Sequence, residues 1–189
     1  MKDIINYIVV VFFSPLAAIC YLEAKLVKSD RFFELMSQLL ALFPGLIGVV
    51  SRRCFYWWSL KRCSLSCYLG FGTLVTDRNA IIEDGVYVGN YCVLATVNLR
   101  QGTFIASRVS IPSAGQIHSR NTDGSWTPII KENLQYVTVG PDVWIGEGAI
   151  VINDVGRGSL VCAGSLIVKP VIKNVMVGGN PQKILKEFD

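Results

Sequence analysis

The chain contains a single histidine, His118, within the stretch GQIHSRNTDGSW from Gly115 to Trp126. Imidazole, with an ordinary pKa of about 6.5, can take up a proton near neutrality. It is therefore a candidate general base wherever a hydroxyl or amine must lose a proton as it attacks. A lone loop histidine equally suits a surface hydrogen bond, and residue type alone does not choose between the two. Asp123 lies in the same stretch and could orient the ring, but Asp-Gly is also a common turn pair. The six cysteines, Cys20, Cys54, Cys63, Cys67, Cys92 and Cys162, are irregularly spaced. With one histidine beside them they make no zinc-binding pattern and read as reduced packing thiols, so no metal is expected.

The elements that must position this histidine are short and repetitive. From Leu69 onward the chain falls into hexads opened by a branched aliphatic residue: Leu69, Val75, Ile82, Val88, Leu94, Leu99, Ile105 and Ile111, then Val139, Ile145, Val151, Val155, Val161 and Ile167. Four residues after most openers stands a smaller side chain, such as Thr73, Cys92, Thr103, Ala149, Ser159 or Ser165. Glycine often follows the opener, as at Gly70, Gly89, Gly140, Gly146 and Gly156. Six residues are too few for a crossover helix, which excludes a βαβ sheet. A three-sided coil fits, with the aliphatic residue inside, the small residue near a corner and glycine relieving the turn. At three hexads per coil this predicts about five coils stacked about 4.8 Å apart. The register disappears between His118 and about Tyr136, so residues 118–136 must loop outward and return.

The segment VGPDVWIGEGAIVINDVGRGSLVCAGSLIVKPV, followed by VGGNPQKI, resembles the hexapeptide-repeat acyltransferases. The resemblance covers Leu69 to about Lys186, with Gly-Asn-Pro at Gly179 to Pro181 as a specific ending. PGLIGVVSRRCFYWWSLKRC and SAGQIHSRNTDG are more narrowly similar to the branch found in bacterial surface-polysaccharide biosynthesis. The resemblance implies a mainly β fold, a left-handed parallel β-helix, with a short C-terminal helix over residues 178–189. It implies a homotrimer whose extended loop lies against a neighbouring subunit, and acyl transfer from acetyl-CoA to a sugar or lipid-linked sugar. In that branch His118, in its Gly-Gln-x-His segment, is the general base. On the donor side the resemblance points to Trp144 as an apolar wall, Ala163 and Gly164 as small residues admitting pantetheine, and Lys169 and Lys183 facing the nucleotide phosphates. Corner packing for Trp144 and plain solvation for the lysines are the alternatives.

Residues 1–64 differ in character. Ile4 to Leu22 carries no charge and as a helix would extend about 28 Å, close to the thickness of a bilayer's hydrocarbon core. A second uncharged run, Leu35 to Ser51, contains Pro44-Gly45 and ends against Arg52-Arg53 and Phe55-Tyr56-Trp57-Trp58. Overall, 51% of residues are hydrophobic and 17% charged, with a formal charge of +4. That is too apolar for a domain surrounded only by water. Lys25, Lys28, Arg31, Arg52, Arg53, Lys61 and Arg62 flank the apolar runs, a pattern suited to the cytoplasmic face of a bacterial plasma membrane. A cleaved signal peptide, a single span and a soluble helical subdomain are the competing readings. Bending at Pro15 and Pro44, so that both runs enter one leaflet and return, best keeps the basic clusters on one side. No nucleic-acid partner is implied, since no basic patch interleaves with exposed aromatics in a binding motif.

Two other functions fit the same pattern. One is an acetyltransferase of a small soluble acceptor; the other is a non-enzymatic β-helix scaffold, which would bind no acyl-CoA. The zinc-dependent carbonic-anhydrase relatives of the fold need several histidines and are excluded.

Overall fold

The computed structural model describes residues 2–115, 118–130 and 133–189. Elements are numbered along the chain. Three helices, α1 (Lys2–Leu22), α2 (Arg31–Ala41) and α3 (Gly45–Ser59), with a π-helical turn at Glu23–Val27, precede a parallel β-solenoid of three flat faces. The first face stacks β1 (Arg62–Cys63), β4 (Ile81–Ile82), β7 (Val97–Leu99) and β10 (Val137–Val139). The second stacks β2 (Tyr68–Leu69), β5 (Tyr87–Val88), β8 (Phe104–Ile105), β11 (Trp144–Ile145), β13 (Leu160–Val161) and β15 (Val175–Gly178). The third stacks β3 (Leu74–Val75), β6 (Val93–Leu94), β9 (Ser110–Ile111), β12 (Ile150–Val151) and β14 (Leu166–Ile167). The solenoid makes about six turns rather than five, because β1 starts the first coil ahead of Leu69.

In the two-residue strands the second residue is the buried one, and every hexad opener lies in the core. Corner hydroxyls are buried and bonded to the adjacent coil: Thr73 Oγ1 donates to the Gly89 carbonyl at 2.7 Å, and Ser159 Oγ to that of Ile172 at 2.8 Å. The glycines after the openers serve a purpose other than turning. A Cβ on Gly70 would stand 2.4 Å from the Gly89 carbonyl oxygen, and one on Gly146 2.5 Å from the Ala163 nitrogen. They allow consecutive coils to close to sheet spacing.

The tail departs from expectation. Residues Lys183–Glu187 form β16, antiparallel to β15. KILKE has good helix formers, but the last parallel strand offers an open edge, and pairing with that edge overrides local preference.

The helices are part of the same core as the coil. Phe33, Cys54, Phe55 and Tyr56 are fully buried, and the core runs unbroken from Val10 and Phe13 to Val177. Asn6, Val10, Phe13, Ala17 and Cys20 form the buried stripe of α1 at alternating spacings of four and three. Pro15 does not turn the chain back: α1 continues through it, and Ser14 Oγ donates to the Val11 carbonyl, which lacks its usual backbone donor, at 2.7 Å. The chain reverses instead at Pro44, which caps α3. Arg52, expected on a membrane-facing basic flank, is fully buried. Its Nε donates to the Leu69 carbonyl at 3.0 Å, and one terminal nitrogen reaches the carbonyls of Leu40 and Phe43 at 2.9 Å each. A cation thereby satisfies the C-terminal carbonyls of α2 and ties them to the first coil.

Candidate active site

The excursion leaves the third face after β9 and returns on the first face at β10. Both ends are tied down. At the exit, Ser113 Oγ lies 2.7 Å from Thr96 Oγ1 and accepts the Thr96 amide at 3.2 Å. Thr96 Oγ1 also donates to Asp77, so the Ser113 hydroxyl donates to Thr96. At the return, Tyr136 donates its hydroxyl to the Asn79 carbonyl at 2.8 Å. Ala114 and Gln135 exchange both backbone hydrogen bonds at 2.9 Å across the root. Gly115 sits there with φ +95°, and a Cβ would meet the Asn133 carbonyl oxygen at 2.3 Å. Only glycine fits that position without displacing the root.

Beyond the root the loop doubles back as a small antiparallel ribbon. Arg120 bridges to Trp126, the Thr127 amide donates to the Ser119 carbonyl at 2.9 Å, and Thr127 Oγ1 accepts the Ser119 amide at 2.8 Å. His118 lies at the base of this ribbon, exposed, with Nδ1 2.8 Å from the Thr127 carbonyl oxygen. A carbonyl can only accept, so Nδ1 carries the proton and Nε2 of the neutral ring keeps its lone pair. Gln116 of the Gly-Gln-x-His segment lies outside the described residues. Asp123 does not orient the ring: its Oδ1 accepts from the Ser125 amide at 2.8 Å and the Ser125 hydroxyl at 2.6 Å. Those hydrogen bonds hold its carboxyl below the ordinary range, and it serves the turn.

The donor-side candidates lie elsewhere on the coil. Trp144 is 58% exposed on the second face, in register with Phe104, Tyr87 and Tyr68. Ala163 and Gly164 form the exposed turn between β13 and β14, and a Cβ on Gly164 would meet nothing within 4 Å. The Gly164 amide is committed to the Glu147 carbonyl at 2.8 Å, so this turn offers close approach rather than a free donor there. Lys169 and Lys183 are brought together with Pro170, Ile172 and Gln182 around a cavity of about 190 Å³ at the C-terminal edge. Gln182 fixes its rim: Oε1 accepts the amides of Val168 and Lys169 at 2.7 and 3.0 Å, and Nε2 donates to the Lys169 carbonyl at 2.8 Å.

Two polar features stand apart from these single reactive residues, although the register of the repeat already marks Asn98 as inward-pointing or as one rung of a polar ladder. Asp77, Thr96 and Ser113 each stand two positions after a hexad opener in successive coils, so their stacking was present in the repeat as a polar column. Asn98, between Ile81 and Thr138 on the first face, carries a buried Oδ1 with no hydrogen-bond partner among the described residues.

No family model matches the chain. Serine acetyltransferase of Buchnera aphidicola (Schizaphis graminum) is 32% identical over 144 residues, covering 72% of this chain and 51% of the relative. An Escherichia coli K12 protein with the provisional name lipopolysaccharide biosynthesis O-acetyl transferase WbbJ is 26% identical over 127 residues, covering 64% and 63%. The chain thus spans 51 to 63% of the length of these two curated relatives. Among solved structures, a maltose O-acetyltransferase from Clostridium difficile 630 superposes with a TM-score of 0.57 at 17% identity, covering 86% of this chain and 88% of the other. A galactoside acetyltransferase in complex with coenzyme A gives 0.53 at 18%, covering 82% and 80%. These superpositions show the fold. Repeat, coil and sequence likeness together make the chain a relative of the hexapeptide-repeat acetyltransferases.

Proposed function

We propose that the chain transfers an acetyl group from acetyl-CoA to a sugar hydroxyl in surface-polysaccharide or glycolipid biosynthesis. The observation that carries this reading is the hydrogen bond from His118 Nδ1–H to the Thr127 carbonyl, which leaves Nε2 of the exposed ring uncommitted, so that in the neutral tautomer it can accept a proton. The acceptor oxygen attacks the thioester carbonyl while Nε2 takes its proton. The tetrahedral oxyanion collapses, the C–S bond breaks, and the imidazolium returns the proton to the departing thiolate. Free coenzyme A and an acetyl ester result, with no covalent enzyme intermediate. Trp144, Ala163 and Gly164 would flank the pantetheine arm, and Lys169 and Lys183 would face the nucleotide phosphates.

Likeness to the lipopolysaccharide O-acetyl transferase and to the maltose O-acetyltransferase supports a sugar acceptor, and the coenzyme A complex of the galactoside acetyltransferase supports the donor. A homotrimer, with the excursion of one copy against the donor side of the next, would join two groups of residues that lie on different parts of one chain. The apolar α1 supports work at a membrane, and we place it at the cytoplasmic face, where a lipid-linked sugar would be held. A soluble small acceptor is the second reading, favoured by the serine acetyltransferase likeness.

The test is acetyl transfer from acetyl-CoA to a panel of sugar and lipid-linked sugar acceptors, followed by mass spectrometry. The His118→Ala variant should lose about 10²- to 10⁴-fold in kcat while acetyl-CoA binding by calorimetry stays unchanged. Unaltered turnover in that variant would remove His118 from the mechanism. Acetylation of free serine but of no sugar would favour the second reading.

A further inference from the structure

Resting on that reading of membrane attachment, we infer that α1 neither spans the bilayer nor folds back within it. It lies in the plane of one leaflet, its outer face being the lipid-binding surface of the protein. Residues Ile8–Val27 are long and apolar enough to cross a membrane, so length alone permits a span. What α1 is fastened to does not. Near its start, the Asn6 side chain accepts from the Arg53 guanidinium, and the Asn6 carbonyl accepts from the buried Cys54 thiol. At mid-length the Val10 carbonyl accepts the indole N–H of Trp58 at 3.0 Å, and Phe13 meets Phe55 edge-on. Near its end the Cys20 carbonyl accepts from Arg78 at 2.9 Å, and Arg78 is paired with Asp30. Arg53 belongs to α3 and Arg78 to the first coil. A spanning α1 would carry both charges, with the end of the solenoid, into hydrocarbon. An in-plane α1 leaves them on the protein side.

The opposite face suits a leaflet. Ile8, Val11, Phe12, Ile19, Leu22 and Leu26 are 47 to 73% exposed, and no Asp, Glu, Lys or Arg occurs between Ile4 and Leu22. An open, mostly apolar groove lined by Pro15, Ala17, Ala18, Tyr21 and Trp58 lies along the helix. The charges at the C-terminal end of this face favour an anionic lipid. Lys25, Lys28 and Arg31 are exposed, with Lys25 Nζ 5.8 Å from the centre of the Tyr21 ring. Of the acids nearby, Glu23 is engaged by the Phe32 amide and Asp30 by Arg78, leaving Glu34 as the exposed one. Apolar surface bordered by cations is the composition of a helix seated at the headgroup level.

The test uses the full chain with vesicles of phosphatidylcholine, with and without a minority of phosphatidylglycerol. Nitroxide labels at Ile8→Cys, Phe12→Cys, Ile19→Cys and Leu26→Cys report depth, and the wild-type chain gives the background from its own cysteines. The chain should sediment with the anionic vesicles, and all four labels should lie at one shallow depth. Phe12→Glu should weaken partitioning about tenfold or more without changing circular dichroism or acetyl-CoA binding. Label depths that pass through the bilayer centre would overturn the in-plane arrangement while leaving attachment standing. Unchanged partitioning of Phe12→Glu would show that lipid does not meet this face. A wild-type chain that ignores both vesicle types would overturn attachment as well, and dissociation of an oligomer by Phe12→Glu would then assign the face to a second copy.

Discussion

His118 commits one ring nitrogen to a backbone carbonyl, and that commitment is only as firm as the Ser119–Thr127 pairing that holds the carbonyl opposite it. Gly115 is the residue on which the loop root turns. An alanine there would adopt a strained positive φ and press on the Asn133 carbonyl. Gly115→Ala is therefore expected to lower kcat about 10- to 100-fold by misplacing the imidazole, with the melting of the coil little changed. Steady-state kinetics beside calorimetric titration of acetyl-CoA would check this: a fall in donor affinity of the same size would mean that the damage is not confined to the loop. The histidine was legible in the sequence because it is the single imidazole and stands where the repeat stops. Its partner was not, because a backbone carbonyl has no residue type to read. Asp123, the side chain that type alone suggests, belongs to the turn.

At the scale of elements, the hexads disclosed the coil because a two-residue strand with one inward side chain leaves little freedom in what can occupy that position. Glycine after the opener was also legible, but for the wrong cause: the constraint comes from the neighbouring coil, as at Gly146 under Ala163. Gly146→Ala is expected to cost about 1–3 kcal/mol through overpacking, lowering Tm by about 2–4 °C for each kcal/mol. Gly148→Asn, where φ is +69° and nothing lies within 4 Å, should be close to neutral because asparagine tolerates the left-handed region. Equal melting temperatures for the two variants would refute the spacing argument. The tail departs from the helix that the resemblance implies because the open edge of β15, created by the whole stack, pairs with it. Arg52 departs from expectation similarly: its charge is visible in sequence, but the carbonyls that surround it come from α2 and β2.

At the scale of the molecule, helices and coil fold as one body, joined at Tyr56. Its buried hydroxyl lies 2.7 Å from Ser37 Oγ, and Ser37 donates to the Val75 carbonyl at 2.9 Å. Burial pushes the Tyr56 phenol up to about 12, from an ordinary value of about 10. Between those values the unfolded chain sheds the proton while the folded chain keeps it, so stability is fully present below pH 10 and falls as pH rises toward 12. The loss approaches about 1.4 kcal/mol per pH unit over that window. Urea melts of wild type and Tyr56→Phe across pH 9 to 12 should converge as pH rises, the variant starting lower but declining less. Parallel curves would mean that Tyr56 does not govern the alkaline limit. It also follows that removing residues before about Leu65 would strip the coil of its buried base, so the role of the helices has to be probed by substitutions on their surface.

The helices pack on one end of the solenoid, and at the other the antiparallel β16 covers the edge of β15. A stack of identical rungs has no intrinsic reason to stop growing, and an unsealed rung is a template on which the next molecule can continue. With the helices at one end and β16 at the other, the number of rungs becomes something inheritance can alter: a duplicated triplet of hexads in the middle lengthens the column and leaves both ends as they are. Concentrated solutions should accordingly stay free of filaments until Lys183–Glu187 is removed.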